Sequence, residues 1–182
     1  MKLYQKILFP IIVAAQLFVL VFMIAKQELL LANGAKVLLK CEPIDPRSLF
    51  SGDYVILNYN ISTIDWDIIS KSNLSIDGLE GKDIYVALKL RPNDMHYHIA
   101  AISDNLDELK QDHSTIIRGR VEGIGSNGLR VRYGVENYFV PQREGKKIEN
   151  RLSSVSIEVS ISDNGDSAIS KLFIENQEVK FY

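Results

Sequence analysis

From Ile7 to Ala25 the chain reads ILFPIIVAAQLFVLVFMIA, nineteen residues without a charge. A helix rising about 1.5 Å per residue makes this run roughly 28 Å long, close to the hydrocarbon thickness of a bilayer. A charged side chain at mid-membrane costs on the order of 2.5–3.5 kcal/mol, so a charge-free run of this length points to lipid. Gln16 is its only strongly polar residue, and Pro10 falls near its start, where a proline disturbs a helix least. A cleaved signal peptide is the alternative. Its apolar region typically spans about 7–15 residues, and the small-x-small triplet Ala32-Asn33-Gly34 stands well beyond the apolar block. The run is read as an uncleaved anchor.

Lys2 and Lys6 precede the run, whereas Lys26 after it is offset by Glu28. The positive-inside rule then places the N-terminus in the cytoplasm and the rest of the chain outside. Gln27 to Ala32 (QELLLA) is good helix sequence, so the helix is expected to continue past the bilayer and stop at Asn33-Gly34. A length of 182 residues suits one domain plus a short extra element. The expected organisation is a cytoplasmic stub at 1–6, a transmembrane helix at 7–25, a juxtamembrane helix and linker at 26–35, and one extracytoplasmic domain at 36–182.

The formal net charge is −2; without Lys2, Lys6 and Lys26 the remainder has 18 basic against 23 acidic residues, or −5. Nucleic acid needs a basic face, and this balance argues against it. Arg118, Arg120, Arg130 and Arg132 alternate on two expected strands and are read as solvated faces. The single cysteine, Cys41, excludes an intramolecular disulfide and lies in the alternating run Val37-Leu38-Leu39-Lys40-Cys41, which favours a buried thiol. Lys40 before it is not the small residue that a lipoprotein signal requires.

From Lys36 onward helical period gives way to alternation and turn signals. Strands are expected at Lys36–Glu42, Asp53–Ile61, Asp83–Leu90, His96–Ser103, Ser114–Ile124, Leu129–Tyr133, Tyr138–Val140, Val155–Ser162, Ala168–Glu175 and Glu178–Phe181. Pro92-Asn93-Asp94, Ser126-Asn127-Gly128 and Asp163-Asn164-Gly165-Asp166 carry turn chemistry between them. Glu144–Leu152 and Ile64–Lys71 are expected as short helices. Asp53–Ile61 is apolar on both faces, which suggests a central strand. The fold class is mainly β, an antiparallel rolled sheet or sandwich with one or two short helices, preceded by one N-terminal transmembrane helix.

The most distinctive stretch is Asp45-Pro46-Arg47 followed by Gly52-Asp53-Tyr54-Val55-Ile56-Leu57-Asn58-Tyr59. With a second motif, Tyr133-Gly134-Val135-Glu136-Asn137-Tyr138-Phe139-Val140-Pro141, it resembles the bacterial GDYxxLxY family. The resemblance runs over essentially the whole chain. It implies a membrane-anchored protein of uncharacterised function, with a multi-pass membrane protein encoded nearby as partner. The residues themselves allow a brace or a binding surface built from Asp45, Arg47, Gly52, Asp53, Tyr54, Leu57, Tyr59, Tyr133, Glu136 and Tyr138. Arg47, near a bend, is expected to pair with Asp53 or Glu136 and so tie the motifs together.

Other chemistry finds less support. Gly-Asp before an alternating strand also occurs in membrane-anchored signal peptidases; Ser48 or Ser51 with Lys89 are the available nucleophile and base, but the serine-methionine-x-proline surroundings are missing. His96 and His98, with His113, are one candidate metal set, but an ordinary solvated pair is the simpler reading, and neither metal nor cofactor is expected. No P-loop, dinucleotide fingerprint, HExxH or GxSxG occurs. Asn60-Ile61-Ser62 and Asn73-Leu74-Ser75 match the glycosylation sequon, relevant only in a eukaryotic secretory pathway. Two functions follow as expectations: a membrane-tethered interaction or assembly module, or an extracytoplasmic hydrolase using Asp45, Asp53 and Glu136.

Overall fold

The structure is a computed structural model that describes residues 3–43, 54–72, 74–76, 78–112, 115–141 and 154–180. Helix α1, Leu3–Asn33, contains Pro10. From Leu8 it is long and apolar enough to cross a membrane, and none of its apolar stretch is buried against the rest of the fold. It stops at the expected place, with the Gly34 amide donating to the Leu30 carbonyl at 3.0 Å. Gly34 is not in the left-handed region, so it serves close approach rather than a positive-φ cap. A Cβ there would lie 2.4 Å from Ser160 Oγ and 2.9 Å from the Ile161 carbonyl oxygen. The helix end is pressed against a strand, with no space for a side chain between them.

Every strand pairing among the described residues is antiparallel, in agreement with the expected class. One sheet contains β1 (Ala35–Glu42), β3 (Asn58–Tyr59), β10 (Val155–Ile161), β11 (Ser167–Ile174) and β12 (Gln177–Val179), in the order β12-β11-β10-β1-β3. A second contains β4 (Thr63–Ile64), β5 (Asp83–Leu90), β6 (Tyr97–Ser103), β7 (Ile116–Gly125) and β8 (Gly128–Arg132), in the order β4-β8-β7-β5-β6. A small third sheet pairs β2 (Tyr54–Ile56) with β9 (Asn137–Phe139).

Alternation explains which faces turn inward. Val37, Leu39 and Cys41 of β1 are buried while Lys36, Lys40 and Glu42 are exposed. In β7, Ile117 and Val121 face the core, and Arg118, Arg120 and Glu122 face out. Strand β10 departs from simple alternation, because Ser156 and Ser160 on its outer side are buried as well. Ser160 lies under the end of α1, to whose Leu30 carbonyl its hydroxyl donates, and Ser156 lies under His96 of the β5–β6 connection.

The expected strand Asp53–Ile61 is broken at Leu57. Its first part pairs with β9, its second with β1, and the chain then runs on to β4 at the edge of the second sheet. It is buried because it joins the sheets, not because it is central in one. The turn between β10 and β11 makes the opposite junction: the Arg118 amide of β7 donates to the Gly165 carbonyl at 2.9 Å. The two junctions roll the sheets around one core, in which Tyr59 is the largest fully buried side chain.

Of the expected helix Ile64–Lys71 only α2, Trp66–Ile69, forms. Helix α3, Leu106–Lys110, was not expected; the Asn105 side chain caps it by accepting from the Asp107 amide. The expected helix Glu144–Leu152 lies outside the described residues.

Candidate functional site

The two motifs lie side by side. In the β2–β9 pair Tyr54 is opposite Phe139, Val55 opposite Tyr138 and Ile56 opposite Asn137. Where β2 ends, the Leu57 amide donates to the Glu136 carbonyl at 2.7 Å. The phenol of Tyr59 donates to the Val135 carbonyl, and that of Tyr133 to the Ile61 carbonyl at 2.6 Å. Each motif thus supplies a tyrosine that satisfies a buried carbonyl of the other segment.

Glu136 holds the turn between these contacts. One carboxylate oxygen accepts from the Tyr133 amide at 2.5 Å, the other from the Gly134 amide at 2.9 Å. Gly134 has φ +82°, a conformation an L side chain rarely adopts. Burial pushes the Tyr59 and Tyr133 phenols well above their ordinary range, and the Glu136 charge adds to both shifts. Both tyrosines are therefore neutral donors at any physiological pH. Burial also raises the phenol of half-buried Tyr138.

Leu57, Tyr59 and Tyr133 point into the core, so their side chains do not form an outer surface. Glu136 and Tyr138 are half-buried, and Phe139 at the end of β9 is 77% exposed. Of Tyr54 the structure describes the backbone, in β2. Asp45, Arg47, Gly52 and Asp53 lie outside the described residues, and with them the expected Arg47 pairing. Among the described residues the motifs are joined by strand pairing and reciprocal tyrosine–carbonyl bonds. Both Glu136 oxygens accept from backbone amides of the turn that the carboxylate caps.

A second polar cluster sits where the β5–β6 connection folds over the first sheet. Asp94 accepts from the His96 amide at 2.9 Å and lies 2.6 Å from His98 Nε2. His96 Nδ1 is 3.3 Å from Asp94 Oδ1, and its Nε2 is 2.8 Å from Ser156 Oγ. The His96 amide, then His98, hold the Asp94 carboxyl far below the usual carboxylate range. The order acid, imidazole, hydroxyl resembles a nucleophile relay. Ser156, however, is buried near the start of β10 and paired on both sides, with Lys40 and Phe173. This is a clamp fastening the connection to the sheet. Among the described residues no group of His, Cys, Asp or Glu has the arrangement of a metal site; His113 is not described. Asp94 was legible as a turn residue, but nothing local marked Ser156 as its indirect partner.

Beside the clamp, Leu38, Leu90, Met95, Tyr97 and Phe173 line an open groove of about 430 Å³, with Lys36 and Glu158 at its rim. Next to the groove, on the same face of the first sheet, the last turns of α1 are fastened to the domain. Lys26 Nζ lies 2.9 Å from Asp166, which also pairs with Arg118 at 2.5 Å. Lys26, then Arg118, holds the Asp166 carboxyl below its ordinary range against the opposing effect of burial. Lys36 donates to the Leu31 carbonyl.

A family model described as GDYXXLXY protein matches residues 16–172, from within α1 to within β11. No curated protein and no solved structure matches the chain.

Proposed function

Given that the chain belongs to the GDYXXLXY family, we propose that it is a single-pass membrane protein whose β-domain stands outside the cytoplasm and docks on another membrane protein, as an interaction or assembly module. The observation that carries this reading is the two-part character of α1. Its apolar stretch buries nothing within the fold, while its last turns are fastened to the domain through Lys26–Asp166 and Ser160–Leu30. An unburied apolar helix of this length is stable in lipid and a liability in water. The excess of lysine before the span supports an inside N-terminus. Exposed Phe139 beside the motif pair, and the groove containing Met95 and Leu90, supply apolar surface for a protein partner.

The test uses the full-length chain in its native membrane. Carbonate washing leaves it in the pellet, and protease added from outside removes the β-domain but spares the N-terminal stub. Photo-crosslinking groups placed separately at Phe139 and Met95 capture one and the same integral membrane protein from at least one site. A chain released by carbonate ends the anchored reading. A chain that stays anchored but crosslinks only to lipid from both positions ends the docking reading.

A further inference from the structure

We infer that the arginine face of β7 and β8 seats on the phosphates of anionic lipids around the anchor, so that the domain rests on the membrane surface; this depends on α1 being the membrane span. Three observations converge on this face. Lys26 is the first charge after the apolar run, which sets it at the lipid–water boundary. It shares Asp166 with Arg118, so Arg118 stands at the same level as Lys26. Arg120 is opposite Arg132 in the β7–β8 register, two residues further along, or roughly 7 Å. That distance is comparable to the headgroup layer, about 5–7 Å on each side of the hydrocarbon.

The face is also unevenly covered. Helix α3 packs over its beginning, where Leu109 meets Ala87 and Ile116, and the exposed arginines follow directly. Arg118, Arg120 and Arg132 pair with Asp166, Asp83 and Glu122, while Arg130 is exposed and has no acidic partner among the described residues. Exposed pairs of this kind hold weakly. A guanidinium has five donors, of which a carboxylate takes at most two, so donors remain for a phosphate. The four arginines of β7 and β8 outnumber their three carboxylate partners by one, while the acids Asp107 and Glu108 stand apart from them on α3.

The experiment reads each arginine directly. The full-length chain is reconstituted into vesicles of phosphatidylcholine alone, and into vesicles of phosphatidylcholine with one part in four of phosphatidylglycerol. Flotation comes first: a chain that floats with neither composition removes the anchored reading and this inference with it. For chains that float, arginine modification by a phenylglyoxal reagent is followed by mass spectrometry. Arg118, Arg120, Arg130 and Arg132 should react several-fold more slowly on the anionic vesicles, and high salt should abolish the difference. Arg91, exposed in the β5–β6 connection, should react equally on both and serves as the internal reference. Equal rates for the four on both compositions, in a chain that floats, overturn the inference and leave the anchor standing.

Discussion

Tyr59 and Tyr133 brace each other's segments: each phenol donates to the carbonyl two residues beyond the other, Tyr59 to Val135 and Tyr133 to Ile61. The two side chains come from motifs far apart in the chain, and both are buried. Their hydroxyls are the only polar parts of large apolar bodies, and each finds a carbonyl that the sheet ladders leave over.

Tyr59→Phe and Tyr133→Phe should each lower stability by about 1–2 kcal/mol, because each leaves a buried carbonyl without its donor. Urea unfolding of the detergent-solubilised chain, followed by near-ultraviolet circular dichroism, measures this. The double variant should deviate from additivity by roughly 0.5 kcal/mol or more, since both bonds fix the same pair of segments. Wild-type stability in either single variant would show that its bond contributes nothing.

Glu136→Gln should destabilise the chain although it is nearly isosteric. The carboxylate accepts from two amides, Tyr133 and Gly134; an amide side chain has one acceptor oxygen and turns an NH₂ toward the second donor. A loss of about 1–3 kcal/mol is expected, with the β2–β9 amides exchanging faster than in the wild type. Unchanged exchange there would separate Glu136 from the pairing of the motifs.

The fastening of α1 to the domain should weaken in acid. The Asp166 carboxyl is held below its ordinary range by Lys26 and Arg118. A group whose folded pKa is depressed contributes stability that is present above its unfolded value, about 3.9, and is lost as pH falls through the lower folded value. Asp166→Asn should therefore expose the region around Lys26 to limited proteolysis at neutral pH. At a pH low enough to protonate the wild-type carboxyl, the two proteins should be cut alike. A variant indistinguishable from wild type at neutral pH would show that the Lys26 contact carries no energy.

Cys41 should resist alkylation in the folded chain. Burial pushes its thiol up to about 12, so at pH 8 the thiolate fraction is on the order of one in ten thousand. Labelling with iodoacetamide should be slow until denaturant is added and then complete. Rapid labelling of the native chain would place the thiol at the surface.

Gly34→Ala should loosen the joint between helix and domain. The added methyl would fall 2.4 Å from Ser160 Oγ and 2.7 Å from the Leu30 carbonyl oxygen, and a backbone carbonyl cannot yield as a side chain can. New proteolytic cleavage between Lys26 and Lys36 is the expected signature, and an unaltered digestion pattern would contradict it.

The residues differ in how openly they state their place. Strand β1 announces itself, because Val37, Leu39 and Cys41 alternate with Lys36, Leu38, Lys40 and Glu42, a charged face but for one leucine. The break at Leu57 is invisible locally: its amide leaves one ladder for the Glu136 carbonyl, a partner that only the closed fold supplies. Ser156 and Ser160 read as outward residues in an alternating strand, yet a histidine and a helix end cover them. Helix α3 has five residues, too few for a period; Asn105 followed by Asp107 and Glu108 was its only local mark. The tyrosines of the motifs read equally well as surface or brace, since burying a phenol depends on a carbonyl elsewhere being available. Lys26 and Asp166, 140 positions apart, carried no sign of each other.

Gly34 has a mechanical corollary. At Gly34 the helix meets its domain through a contact too tight for one methyl group. Such an approach, backed by the Leu30 and Lys26 contacts, leaves little room for a swivel. A tilt of the shaft should therefore be passed to the head, which a spin-label pair set across the joint would read as a narrow distance distribution.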